Sequence, residues 1–141
     1  LKALDPRLQI VPQLEEAVED ADVIMLCTSS AGPVIDPRTL NKPALITSIS
    51  TNAPRAHEVP PAALQQMQVY CDYRRTTPGS AGEMLIAGEQ HGWDNAAILG
   101  DLPELLSNQA QRPSAERHVF FRSIGLGLED IALANALWRH L

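Results

Sequence analysis

Short clusters of small and polar residues follow the apolar runs of this chain: Thr28-Ser29-Ser30, Ser50-Thr51-Asn52, Asp72-Tyr73-Arg74 and Ser123-Ile124-Gly125. Hydroxyls, amides and backbone N–H groups in such clusters let a flat ligand approach closely and be held by hydrogen bonds. If the preceding runs are parallel strands, all the clusters share the carboxyl edge of one sheet, where ligands of open α/β sheets bind. Strands often end in turn residues for purely structural reasons. The weight therefore lies in the set, not in any one cluster.

Other candidates are weaker. Gly125-Leu126-Gly127-Leu128-Glu129-Asp130 places two glycines before a helix, but a dinucleotide fingerprint needs glycine where Asp130 stands and opens the first βαβ unit. Its glycines still permit close backbone approach, and the helix start offers N–H groups to a carboxylate. Glu129 and Asp130 would also complement the helix dipole. His57, His91, His118 and His140 show no mutual metal-ligand spacing, so no metal site is expected. There is no GxSxG elbow, and nothing specific joins Ser29 or Ser30 to a histidine. Arg74-Arg75 reads as a solvated pair.

The elements that must position these residues follow from periodicity. Leu14–Asp20 has helical spacing, with Leu14, Ala17, Val18 and Ala21 on one side. The unbroken run Asp22–Thr28 predicts a strand buried on both faces. Ala44–Ile49 reads as a second strand, Pro60–Met67 as a short helix opened by proline, and Gln68–Asp72 as a third strand. Helices are expected over Ala81–Gln90 and over Asn95–Ser107, the latter interrupted at Gly100 and Pro103. Gln109–Glu116 is a polar loop, Arg117–Ser123 a fourth strand, and Leu128–Leu141 an amphipathic helix. Alternating strands and helices with apolar strands indicate α/β with a parallel sheet. The strands ending at Thr28, Ser50 and Asp72 are expected to lie side by side and parallel.

With 141 residues the chain has room for one domain. Hydrophobic residues make up 45% and charged residues 20%, which supports a packed core, and aromatics at 4% leave that core to Ala, Leu, Ile and Val. A net charge of −6 argues against binding nucleic acid through a basic face. No apolar run approaches the roughly 18 residues of a membrane span, and no basic-then-apolar leader opens the sequence. Cys27 and Cys71 fall in apolar runs without a CxxC pair, so buried, reduced thiols and a cytoplasmic setting are expected. The sequence opens at Leu1, almost directly within an α/β pattern, so a fragment is also considered.

Specific residues bring a resemblance. Ala21-Asp22-Val23-Ile24, Cys27-Thr28-Ser29-Ser30 and Pro33-Val34 resemble the "ADIV…ATSS…PV" stretch of the ornithine cyclodeaminase/mu-crystallin family. Asn52-Ala53-Pro54-Arg55-Ala56-His57-Glu58 is similar to its "DAPGKxEL" segment, Val69–Asp72 to its "VVVD", and Ile98–Leu102 to its "ELGEV". Phe121-Arg122-Ser123-Ile124-Gly125 with Glu129-Asp130-Ile131-Ala132 resembles "FKSxGxAxxDLA". The matches run in order along nearly the whole chain.

The resemblance implies a Rossmann-like parallel sheet, forming the C-terminal half of a dinucleotide-binding domain over residues 1–125. It also implies a helix over 126–141 returning to a substrate and dimerisation domain, with a homodimer at full length. The implied enzyme is an NAD- or NADP-dependent oxidoreductase reducing a cyclic ketimine, Δ1-pyrroline-2-carboxylate or Δ1-piperideine-2-carboxylate. Alternatives are ornithine cyclodeaminase, making L-proline and ammonia from L-ornithine, and a non-catalytic relative that binds a small ligand. By position, Thr28, Ser29, Ser30, Asn52, Asp72 and Ser123 would contact or position the cofactor, and the Ile124–Gly125 backbone would meet the substrate's carboxylate. Asn52 stands where cyclodeaminases carry a catalytic aspartate. An amide cannot exchange a proton as a carboxylate does, which favours simple imine reduction, with Asn52 as a hydrogen-bonding group.

Overall fold

The computed structural model describes residues 5–51 and 53–140. Helix α1 (Leu14–Val18) precedes strands β1 (Val23–Leu26), β2 (Leu45–Ser48) and β3 (Gln68–Cys71). Then come α2 (Gly82–His91), β4 (Ile98–Asp101), α3 (Leu102–Leu106), β5 (Val119–Arg122) and α4 (Gly127–Trp138). All strand pairings are parallel, and the order across the sheet is β1-β2-β5-β3-β4. The α/β class with a parallel sheet is as expected. The neighbour relation is not: β5 inserts between β2 and β3, so the strands ending near Thr28, Ser50 and Asp72 are not contiguous. Local pattern finds strands, but the crossovers that order them depend on long-range packing.

Two further expectations need correcting. Ile98–Asp101 is a strand, not part of a helix over 95–107. A Cβ on Gly100 would sit 2.5 Å from the Ala110 side chain, so this glycine marks close approach in a strand rather than a break in a helix. Helix α3 starts only after it, with the Asp101 carboxylate accepting from the Glu104 N–H and the Glu104 side chain reaching back to the Asp101 N–H. The expected helix over Pro60–Met67 is a 3-10 turn, Pro61–Gln66. Helix α2 ends at Gly92, whose φ of 65° supplies the left-handed cap.

The register aligns Leu26, Ser48, Arg122, Cys71 and Asp101 in one row across the sheet. Ile24, Leu26, Ile46, Val69 and Phe120 share a face and pack with Leu64, Met67, Met84 and Ala87 into the core. The opposite face is open at the β1 side. Val23 and Met25 are 54% and 71% exposed, so β1 is buried on one face only. Cys71 is buried as expected, but Cys27 is exposed, against the expectation. Burial pushes the Cys71 thiol up to about 12, leaving it unreactive. Every described residue of α4 is exposed, so its apolar spacing packs against nothing described in this chain. No helix among the described residues is long and apolar enough to cross a membrane.

Candidate functional site

The strand ends converge as the four clusters require, and two buried carboxylates tie them together. Glu58, absent from the site residues expected from sequence, is fully buried. Its Oε1 accepts from the Thr28 N–H and the Thr28 hydroxyl, each at 2.8 Å, and its Oε2 accepts from the Ser48 hydroxyl at 2.7 Å. Its backbone carbonyl accepts from the Val34 N–H at 2.8 Å. Burial opposes ionisation, but hydrogen bonds from Ser48, Thr28 and Ser50 together hold the carboxyl below its usual range. One side chain thus joins the ends of β1 and β2.

Asp72 does the same between β3 and β5. It is buried, and its Oδ1 accepts from the Tyr73 N–H at 2.8 Å and from the Thr77 hydroxyl. Its Oδ2 accepts from the Ser123 hydroxyl at 3.0 Å and from the N–H groups of Ile124 and Gly125 at 2.8 and 3.0 Å. Gly125 adopts φ 78°, a left-handed conformation that glycine takes without strain. Burial again works against the charge, and the bonds from Thr77, Ile124, Ser123 and Tyr73 outweigh it, lowering the pKa. The oxygens of Asp72 are directed at the protein's own donors. Its place in the site is to shape the loop after β5.

The expected residues therefore fall into two groups. Thr28, Ser29 and Gly125 are exposed at the edge, and Ser30, Ser123 and Ile124 are half-buried there. Ser30 donates to the Gly32 carbonyl at 2.7 Å, and the Ser50 hydroxyl to the Ser30 carbonyl at 3.2 Å, linking the loops after β1 and β2. Asp72 lies beneath the edge. Asn52 lies outside the described residues. The N–H groups of Ile124 and Gly125 are engaged by Asp72, so a ligand reaching this loop meets its remaining backbone and side-chain atoms.

Arg74 is not a solvated cation. Its guanidinium donates to the Ile98 carbonyl at 2.7 Å and pairs with Glu104 at 2.8 Å, while its N–H donates to Asp101. It fastens the β3 loop to β4 and α3. No group of His, Cys, Asp and Glu among the described residues is arranged to hold a metal. A cavity of about 530 Å³ between α1 and residues 39–41 lies away from the strand ends, and Glu15, Glu16 and Glu19 in its wall would repel a phosphate.

Glu58 escapes a reading by strand ends because it sits ten residues beyond β2, at the close of the "DAPGKxEL"-like segment. A buried polar residue shows itself only when its partners do. Arg122, Glu83 and Asp101 are also buried charges among the described residues, with Arg122 donating to the carbonyls of Ser48 and Ser123.

The chain is 71% identical over 139 residues to an NAD(P)H-dependent anabolic L-arginine dehydrogenase of Pseudomonas aeruginosa, covering 99% of this chain and 44% of that protein. It is 25% identical over 131 residues to the ketimine reductase mu-crystallin of Mus musculus, covering 93% of this chain and 39% of that one. A Δ1-pyrroline-2-carboxylate reductase of Thermococcus litoralis, solved with NADH and L-proline, superposes with a TM-score of 0.81 at 21% identity. That match covers 89% of this chain and 39% of the other, and it speaks to fold. The chain thus spans less than half the length of these relatives. The ornithine cyclodeaminase/mu-crystallin family profile matches residues 1–140, and the chain belongs to that family.

Proposed function

We propose that the protein carrying this chain is an NAD(P)H-dependent reductase of a carbon–nitrogen double bond, acting on the 2-imino acid that corresponds to L-arginine. The carrying observation is the 71% identity to an L-arginine dehydrogenase across 99% of the chain. In the amine-forming direction a 2-oxo acid and ammonia condense to the imine with loss of water. When bound, the reduced nicotinamide supplies a hydride to the imine carbon, and a proton must reach the nitrogen.

The residues here suit the nicotinamide side of such a cofactor. Thr28, Ser29, Ser30 and Ser123 present hydroxyls along one carboxyl edge, as an amide and a ribose require. Asn52 is proposed as a hydrogen-bonding group to cofactor or substrate, and the Ile124–Gly125 backbone as the substrate's neighbour. Asp72 acts at one remove, by holding that loop. Helix α4, with Leu128 72% and Ile131 67% exposed, is proposed to pack against a substrate and dimerisation domain of a homodimer. The acidic chain suits a small-molecule substrate in the cytoplasm and no nucleic acid.

A second reading, reduction of Δ1-pyrroline-2-carboxylate or Δ1-piperideine-2-carboxylate, is supported by the 25% identity to a ketimine reductase. One assay series separates the readings. NADH or NADPH oxidation is followed with the 2-oxo acid of arginine plus ammonia, and separately with each cyclic ketimine. Ammonia release from L-ornithine is measured alongside. Turnover restricted to a cyclic ketimine transfers the assignment to the second reading. Ornithine deamination would overturn the inference from Asn52, and dinucleotide binding without any turnover would leave a binding protein.

A further inference from the structure

At the centre of the sheet lies a buried charge that the proposed reduction does not use. Arg122 ends β5 and is fully buried, as is Glu83 in the first turn of α2. Arg122 Nε lies 2.7 Å from Glu83 Oε1, a close charge contact rather than an aligned hydrogen bond, and Glu83 Oε2 has no hydrogen-bond partner among the described residues. Burial pushes the Glu83 carboxyl up, against the pull of the guanidinium. Such a pair adds little to stability, and apolar residues of similar volume often replace one without loss.

What apolar residues cannot supply is the other side of the guanidinium. Arg122 Nη1 donates to the Ser48 carbonyl at 3.2 Å and to the Ser123 carbonyl at 2.9 Å, and Nη2 donates to the Ser50 carbonyl. Ser48 and Ser50 lead into the loop after β2, and Ser123 opens the loop after β5. Ser48 is gripped twice, since its hydroxyl also donates to Glu58. The planar fork fixes the spacing of two loops at once, which a lysine's compact ammonium cannot reproduce.

We propose that Arg122, oriented by Glu83, is a positioning residue that sets the distance between the loops after β2 and β5 and so the shape of the edge that receives the dinucleotide. The dinucleotide part rests on the function proposed above; the tie between the loops does not.

The test uses the whole protein with two variants, Arg122→Lys and the double variant Glu83→Met with Arg122→Met. Amide hydrogen exchange is read without cofactor at residues 49–51 and 124–126, and the Kd for NADH and NADPH by fluorescence titration. Loss of one charged donor predicts about tenfold faster exchange in both segments and about tenfold weaker dinucleotide binding in Arg122→Lys. The double variant, which removes the charge pair together with the donors, should show the same two defects, with the faster exchange confined to these two segments, which a general loss of stability would not produce. Wild-type exchange in both segments in Arg122→Lys overturns the proposal, whether or not the double variant folds. If the wild type binds neither NADH nor NADPH, the cofactor reading fails, while the exchange rates still decide whether Arg122 ties the loops.

Discussion

The two faces of the sheet are built from similar residues and end differently. On one, Ile24, Leu26, Ile46 and Phe120 pack with Leu64, Met84 and Ala87, and the same face carries Ser48 and Arg122 to the strand ends. On the other, Val23, Met25 and Leu45 are exposed, and away from the core α4 likewise leaves Ile131, Leu133 and Leu137 uncovered. Both carry aliphatic side chains. What distinguishes the packed part of the sheet is that its strand ends are held by buried carboxylates, Glu58 and Asp72, whose donors lie within this chain. Hydrophobic surface can wait for a neighbour, whereas a buried carboxylate must be satisfied where it stands. The polar network therefore marks where this chain supplies its own partners.

The contrast is broken most severely at Asp72. Asp72→Ala leaves the Ser123 hydroxyl and the Ile124 and Gly125 N–H groups without their acceptor, and is expected to cost about 3 kcal/mol or more in denaturant unfolding. A loss no larger than that of an ordinary surface substitution would mean that the loop after β5 is held by something else.

Gly82→Ala comes next. The new Cβ would lie 2.2 Å from the Arg55 carbonyl oxygen and 2.5 Å from that of Ala56. The segment leading to Glu58 must then move off α2, at about 2 kcal/mol. Glu58 should lose its grip on Thr28, visible as faster exchange of the Thr28 amide.

Acid sharpens the comparison because the buried carboxyls at the strand ends, Glu58 and Asp72, are lowered. The folded pKa values of Asp72 and Glu58 lie below their ordinary 3.8 and 4.5. Their stabilisation is full above those ordinary values and is lost as pH falls through the lowered ones. His118 acts earlier. Its Nδ1 accepts from the Ala44 N–H at 3.2 Å, and burial holds its pKa below 6.5. Below 6.5 the unfolded chain takes up the proton first, so stability declines until the folded pKa is passed. Unfolding measured across this range should lose that upper slope in His118→Asn.

The smallest effect is expected on the exposed helix α4. Leu133→Ser should change the unfolding free energy of this chain by less than about 0.5 kcal/mol, because Leu133 is 64% exposed. A larger loss in the whole protein would measure the surface that covers α4.

Much of this architecture is legible in the amino-acid sequence. The strands over 23–26, 45–48, 68–71 and 119–122 lie within the apolar runs, and their polar ends do gather at one edge. The departure at Ile98–Asp101 has a local cause. Four residues flanked by helix-forming ones carry no period of their own, and the strand exists because β3 pairs with it. Glu58 and Arg122 lie within family-like segments, yet nothing local distinguishes a glutamate on a loop or an arginine after two phenylalanines as buried.

Sequence alone determined the fold class and the polar strand ends that share one edge, since these depend on composition and short-range periodicity. Only the tertiary structure decided that β5 enters between β2 and β3, and hence that Arg122 meets Ser48 and Ser50 and that Asp72 receives the loop from Ser123 to Gly125. Those pairs stand 51 to 74 residues apart in the chain. The desolvation that forces each to find a partner acts only after the sheet has closed over them.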